Sequence, residues 1–408
     1  MTKIFKIPLT ICFFLIFLLF TGCSKDSQGQ DVKTPVQEET VQGKDIQPSM
    51  ASEGETATSE NQEVLPEGKA VFTGVEWSRE DEERYAVYYG SEDICPDRDN
   101  GGVYYVNWGY DKYLYYWKDG KTKLVLDKWV SQICYMDGMV YCIYDKTGKT
   151  YDYNVTPSYE GVICSVNVKT GELKELSQVK AKELAVCKDR LYYEWYTGPE
   201  AEEQKQEYGF YLFSDKNVHK SASKEENGSW QFGRYGKYAI VCREDTFYIK
   251  NLEDNSEQFL MAGAKQTAHI QLYDGVCYYN KGDSLNSISL KDGKKWKSKH
   301  YVNLLGYAKV NNTGWLYISG AGAAGITVFD PYKDEGEYVY IKNTYSSANN
   351  AYMTEGLYSD GKYLYTIVSN GTKTDGIVGL VVLKADGKEI SEIWSSLEYY
   401  NTKSKKQK

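Results

Sequence analysis

One phrase recurs down this chain at intervals of about 40–50 residues, and that interval limits the fold more than any single motif does. Its clearest copy is Gly101–Lys121, GGVYYVNWGYDKYLYYWKDGK. Two runs rich in aromatic and β-branched residues, Val103–Val106 and Tyr113–Trp117, read as strands. Asp119-Gly120 then supplies a hairpin turn signal. Apolar side chains fall on both faces of each run, so the strands should be covered on both sides. The later copies of the Tyr-rich strand are Met139–Ile143, Leu191–Trp195, Tyr238–Cys242, Val276–Tyr279, Trp315–Ile318 and Tyr363–Ile367. No stretch combines sustained helical periodicity with caps. The pattern predicts an all-β fold, a β-propeller of four-stranded antiparallel blades. Seven blades is the count, with six or eight as the alternatives. The first blade is the weakest: its innermost strand is expected at Arg84–Tyr89 or Val71–Trp77. The outer part of the last blade is expected at Lys388–Trp394.

The turns divide the ring into two faces. Asp137-Gly138, Asp189-Arg190, Asp274-Gly275 and Asp360-Gly361 precede the Tyr-rich strand. Asp119-Gly120, Thr170-Gly171, Asp292-Gly293 and Asp386-Gly387 follow the third strand. In a four-stranded meander these first-to-second and third-to-fourth turns emerge together. The irregular links, such as 145–160, 197–207, 319–325, 343–352 and 369–376, emerge on the opposite face. Variable loops on a rigid scaffold are where binding tends to reside. Tyr151, Tyr153, Tyr159, Tyr196, Tyr345 and Tyr352 lie in such links with no strand to belong to. The link 107–112 adds Trp108 and Tyr110. Half-wet aromatic surfaces of this kind suit a glycan or a protein partner, and these eight residues are the candidate contacts. The competing reading is that they cover the rim.

Ahead of the repeat lies a different kind of sequence. Lys3 and Lys6 precede an apolar run, Ile7–Phe20, that ends in Thr21-Gly22-Cys23. This is the layout of an export signal. The small residues before Cys23 resemble the bacterial lipobox, with Phe20 where Leu is usual. That match implies a signal peptide over 1–22, diacylation of Cys23 and anchorage to the cell membrane on its outer side. The run is shorter than the roughly 20 residues of a membrane span. From Ser24 to Gly68 there is no aromatic residue, and Pro35, Pro48 and Pro66 are spaced through polar sequence. Such a stretch cannot bury enough apolar surface to offset its ordering entropy. The expected organisation is therefore a tether over 23–69, a propeller over 70–396 and a Lys-rich tail over 397–408.

The phrase G-x-φ-Y-Y…L-Y-x-x-x-x-D-G-K, with φ apolar, resembles the Tyr-rich propeller repeats of surface lipoproteins of Firmicutes. Those repeats are described as similar to the propeller of the low-density lipoprotein receptor. Tyr116-Trp117-Lys118-Asp119 echoes that receptor's Tyr-Trp-Thr-Asp signature, with Lys118 in place of Thr; the other units lack the Trp. The resemblance spans roughly residues 70–395. It implies a fold and an address, and supplies no catalytic residues.

Composition narrows the chemistry. With 57 acidic and 48 basic residues the net charge is −9, which argues against a nucleic-acid partner. All 39 Tyr lie at or beyond Tyr85, and His219, His269 and His300 are the sole histidines. No CxxC, G-x-S-x-G or H-E-x-x-H is present, so no catalytic residue, cofactor or metal site is predicted. Asp97-Arg98-Asp99-Asn100-Gly101 opens like a calcium loop, but Gly101 stands at the fifth position and no Glu at the twelfth. A polar turn is the reading preferred. Cys95, Cys134, Cys142, Cys164, Cys187, Cys242 and Cys277 are an odd number and read as thiols filling gaps between blades. An Asp137-Gly138 two-residue turn would put Cys134 and Cys142 on opposite sides of their hairpin. The leading expectation is non-enzymatic binding of a protein or glycan at the cell surface. The alternatives are a propeller hydrolase of surface polysaccharide, with two inward carboxylates, and a structural subunit of an envelope complex.

Overall fold

The computed structural model describes residues 75–396, apart from 92, 108–110, 112, 145, 147–160, 197–205, 223–233, 274, 283, 302–305, 309–314, 320–324, 331–334, 341–350, 354–356 and 371–377. These residues all belong to one unit, Leu65–Lys408. Among them the strands form seven antiparallel sheets. Blade 1 is built in chain order from Ile94–Pro96, Val103–Val106, Leu114–Lys118 and Lys121–Leu126, and blade 2 from Ser131–Met136, Met139–Tyr144, Val162–Asn167 and Leu173–Lys180. Five further sheets repeat this meander: blade 3 from Glu183–Cys187 to Asn217–Ser221, blade 4 from Arg234–Tyr235 to Glu257–Ala262, blade 5 from Thr267–Tyr273 to Lys295–Tyr301, blade 6 from Gly306–Ala308 to Glu335–Tyr340, and blade 7 from Ala351–Met353 to Glu389–Ser395. Each Tyr-rich run forms the second strand of its blade. The fold is the β-propeller the repeat predicts.

Alternation of side chains explains why both faces of these strands are apolar. In the second strand of blade 1, Tyr104 and Val106 pack toward blade 2, while Val103 and Tyr105 pack toward blade 7. Comparable clusters join blades 2 and 3, 4 and 5, 5 and 6, and 6 and 7. Within blade 3, Arg190 lies over Phe210 at 4.5 Å and Phe210 stacks on His219 at 5.1 Å; toward blade 4, burial raises the Tyr192 phenol and the charge of Arg234 works against that rise. The outermost strands, such as Lys121–Leu126 and Leu173–Lys180, expose lysines at Lys121, Lys123, Lys174 and Lys180. Charge there discourages pairing of one edge with another.

The ring closes between blades 7 and 1 without a shared strand, because blade 7 ends on its own outer strand, Glu389–Ser395. Side chains make the joint instead. Trp117 is buried against Tyr363, Tyr365 and Trp394, with ring centroids 5.6, 6.1 and 5.9 Å away. On the turn side, Asp360 Oδ2 accepts hydrogen bonds from Gly102 N at 2.8 Å and the Tyr365 hydroxyl at 2.7 Å. Burial first, and then that bond, push the Tyr365 phenol far above its ordinary pKa. Gly102 sits at φ +98, and a Cβ there would lie 2.4 Å from the Trp117 carbonyl oxygen. Only glycine fits this corner.

The start of the domain departs from expectation. Neither Arg84–Tyr89 nor Val71–Trp77 forms the inner strand of blade 1; Ile94–Pro96 does. Ser78 caps a short helix, Arg79–Tyr85, by accepting from Asp81 N at 3.0 Å. This helix lies at the blade 4 turns: a Cβ on Gly236 would come within 3.3 Å of the Asp81 Cβ. Val87–Tyr89 then pairs antiparallel with Glu183–Cys187, the inner strand of blade 3. Gly90 N donates to Leu184 O at 2.8 Å, and Ser91 exchanges backbone bonds with Ile133 of blade 2. Inner strands run from the loop face to the turn face, so this strand climbs the opposite way along the channel-facing edge. The segment thus spans blades 4, 3 and 2 before it enters blade 1. The physical reason for the misassignment is that an extended run at the channel edge has the same local pattern as an inner strand.

Candidate binding face

The two faces are distinct in their chemistry. On the turn face the side chains pair with one another across blades. Lys362 of blade 7 bonds Asp119 of blade 1 at 3.0 Å. The Tyr317 hydroxyl of blade 6 donates to Gly387 O of blade 7 at 2.9 Å, and Lys388 lies over the Trp315 ring at 5.6 Å. Lys291 of blade 5 lies over Tyr235 of blade 4 at 5.8 Å. Lys237 bonds Glu253 at 2.7 Å within blade 4. These contacts also place the first-to-second and third-to-fourth turns on one face, as the turn pattern predicts.

The calcium-like stretch belongs to this turn face and serves as a turn. Asp97 is buried, and its Oδ1 accepts from Asp99 N at 3.1 Å and Asn100 N at 3.0 Å, while Tyr104 donates to Oδ2 at 3.4 Å. Its carboxylate is occupied by its own loop. Among the described residues no group of three or more His, Cys, Asp or Glu is arranged to hold a metal ion.

Of the candidate contacts, Trp108, Tyr110, Tyr151, Tyr153, Tyr159 and Tyr345 lie outside the described residues, as does Cys23. Tyr196 and Tyr352 are corrected: both belong to strands. Tyr196 ends Arg190–Tyr196 opposite Gln206, and Tyr352 lies in Ala351–Met353 opposite Ser369. The strands run on further than the links suggested, since pairing with a partner strand, not local composition, sets their ends. Both residues still stand at the loop-face ends of their blades, in blades 3 and 7.

One residue of this face carried no sequence signal. Asn107 directly follows the second strand of blade 1, Val103–Val106, and its backbone N donates to Tyr113 O at 3.0 Å. It is 1% exposed, and among the described residues neither its amide oxygen nor its amide nitrogen has a partner. Leaving a buried polar group unmatched costs about 1–3 kcal/mol. Nearby, Asp111 Oδ2 accepts from the Tyr115 hydroxyl at 2.5 Å and Oδ1 from Tyr113 N at 3.1 Å. In blade 2, Lys128 lies over Tyr144 at 5.6 Å. Aromatic, cationic and amide groups therefore stand at or beside the strand ends of blades 1 and 2.

Among the described residues no helix is long and apolar enough to cross a membrane. No family model and no curated protein matches the sequence. Among solved structures, one from a study of two prolyl endopeptidases is 15% identical over 78% of this chain, with a TM-score of 0.49. The chain spans 51% of that protein. The AfRom2 CNH domain is 13% identical, covering 78% of this chain and 99% of its own, with a TM-score of 0.41. Hsv2 from Kluyveromyces lactis is 9% identical, covering 75% and 99%, with a TM-score of 0.39. At these identities and scores the likenesses add nothing about activity. The propeller itself rests on the seven meanders and the seams between them.

Proposed function

We propose that this chain is a lipid-anchored, outward-facing protein whose propeller binds a protein or glycan partner through its loop face without turning it over. The observation that carries the binding half is the asymmetry of the ring. The turn face is engaged in its own cross-blade pairing, and the chain's own Val87–Tyr89 strand runs along the channel edge of blade 3. What is left for a partner is the loop face, with the unmatched Asn107 amide at its base. Strand-held groups beneath variable loops give a preorganised surface, which limits the ordering cost of binding.

The anchoring half rests on Thr21-Gly22-Cys23 after Ile7–Phe20 and on the resemblance to Tyr-rich surface lipoproteins. It is tested by expressing the full chain and a Cys23→Ser variant in a bacterium that processes lipoproteins. The wild type is expected in the detergent phase, with its mass raised by acyl chains. The variant is expected to lose the acyl mass and the processing that follows it. A Cys23→Ser protein that keeps the wild-type processed mass and remains membrane-bound would exclude the anchor.

A further inference from the structure

We infer that Cys142 and Cys164 form a cross-strand disulfide site that can be oxidised only before blades 1 and 2 close on each other. The two cysteines are directly opposite in the register of Met139–Tyr144 against Val162–Asn167. Residues opposite one another on antiparallel strands point to the same side of the sheet, and both side chains lie in the apolar cluster joining blades 1 and 2. Their Cα atoms are held at the spacing of a directly opposed pair, about 4.5 or 5.5 Å depending on the hydrogen-bond pattern. Both values fall within the roughly 4.4–6.8 Å a disulfide bridges.

The pairing is selective. Cys134 lies one strand away, but it faces the cluster between blades 2 and 3, so it cannot reach either thiol through the sheet. Cys95 shares the cluster from blade 1. It sits on a different sheet and joins the others only when the seam forms. In the unassembled blade 2 hairpin, Cys142 and Cys164 are therefore the pair set at bonding distance.

The folded state shuts the site. Both thiols are free in the structure, with side chains 0% and 1% exposed. Burial raises the Cys142 pKa well above normal and pushes Cys164 up to about 12. Exchange requires a thiolate and an approach path, and the closed seam offers neither. The oxidation state is consequently fixed as the chain folds. The step needs a disulfide oxidant, such as oxidised glutathione or an exchange protein. One cysteine thiolate attacks the oxidant and forms a mixed disulfide, releasing one thiol. The second attacks that mixed disulfide, releasing the second. The pair loses two protons and two electrons, and the oxidant gains them as two thiols.

The test is to denature and reduce the full chain and refold it in buffered reduced and oxidised glutathione. After acid quenching and alkylation, the protein is digested with trypsin for mass analysis. The expected product joins peptide 129–146 to peptide 150–169, with fragmentation placing the bridge at Cys142 and leaving Cys134 alkylated. Folded, reduced protein given the same buffer should show no such product. A Cys134→Ala chain should keep the bridge, and a Cys142→Ala chain should lose it. Alkylated Cys142 and Cys164 after oxidative refolding would overturn the inference. So would a bridge to Cys95 or Cys134, or equal oxidation of the already folded protein. Because the wild-type chain alone gives the decisive reading, misfolding of a variant does not obscure it.

Discussion

Replacing Trp117 with Ala should lower the unfolding free energy by about 3–5 kcal/mol, the usual loss for a buried Trp, measured by urea denaturation of the propeller. The size follows from position. Trp117 is 1% exposed and touches Tyr363, Tyr365 and Trp394 across the one seam that joins the last blade to the first. The other blades are joined to their neighbours by chain as well as by packing; here packing and a few hydrogen bonds must suffice. Removing the indole leaves three aromatic rings facing a void, and aromatic pairs are worth about 0.5–1.5 kcal/mol each beyond their burial. Trp117→Phe should cost much less. It keeps a ring in place and removes the indole N–H, which is buried without a partner. Equal losses for Phe and Ala would show that the ring contacts do not hold the seam.

The second large effect concerns the channel strand. Gly90 N donates to Leu184 O, and antiparallel pairing alternates, so Tyr88 and Val186 exchange backbone hydrogen bonds two residues earlier. Tyr88→Pro removes the donor and leaves the Val186 carbonyl unmatched, at about 1–3 kcal/mol. It also removes a ring packed on the cluster of blades 2 and 3, beneath Arg98 at 4.7 Å. Because the segment ties blade 4 to blades 3, 2 and 1, the whole ring should feel the loss. Hydrogen exchange should quicken in Glu183–Cys187 and Ser131–Met136, with Tyr88→Phe as the control that keeps the ladder. Unchanged protection of the blade 3 inner strand in Tyr88→Pro would mean that the channel segment merely lies there.

Much of this architecture is legible in the sequence because its causes are local. Each Tyr-rich second strand carries its own β propensity, and turns such as Asp119-Gly120 and Asp137-Gly138 adopt the positive φ that their residues tolerate. The Cys134 and Cys142 placement was legible for the same reason, since a two-residue turn fixes the register around it. The channel strand was not. Ala86–Gly90 and Asp93–Asp97 are equally short; Val87–Tyr89 has the stronger β propensity, while Ile94–Pro96 ends on a Pro, so local preference points to the wrong segment and nothing within either names its partner edge. The Cys142–Cys164 pairing was hidden by the link 145–160, whose length leaves the register of the next strand open. Asn107 was hidden because its interest lies in the partner it lacks. The single Trp of the Tyr-Trp-Lys-Asp phrase gains its reason only when the ring is closed: it stands at the seam that no strand crosses.

The measurement that bears most directly on the asymmetry between the two faces compares two sets of variants of the full chain. Asn107→Leu alters the loop face, and Trp108→Ala and Tyr110→Ala remove candidate contacts that the sequence assigns to it; Lys291→Ala and Lys388→Ala alter the turn face. Each is assayed for retention of solubilised envelope proteins and a polysaccharide panel, for release of reducing sugar, and for its unfolding midpoint. The account predicts that the loop-face set loses the retained component while its midpoint stays near wild type or, for Asn107→Leu, rises. The turn-face set should retain that component, and no variant should release sugar. Loss of retention confined to the turn-face set, or sugar release that grows with the amount of wild-type protein, would contradict it.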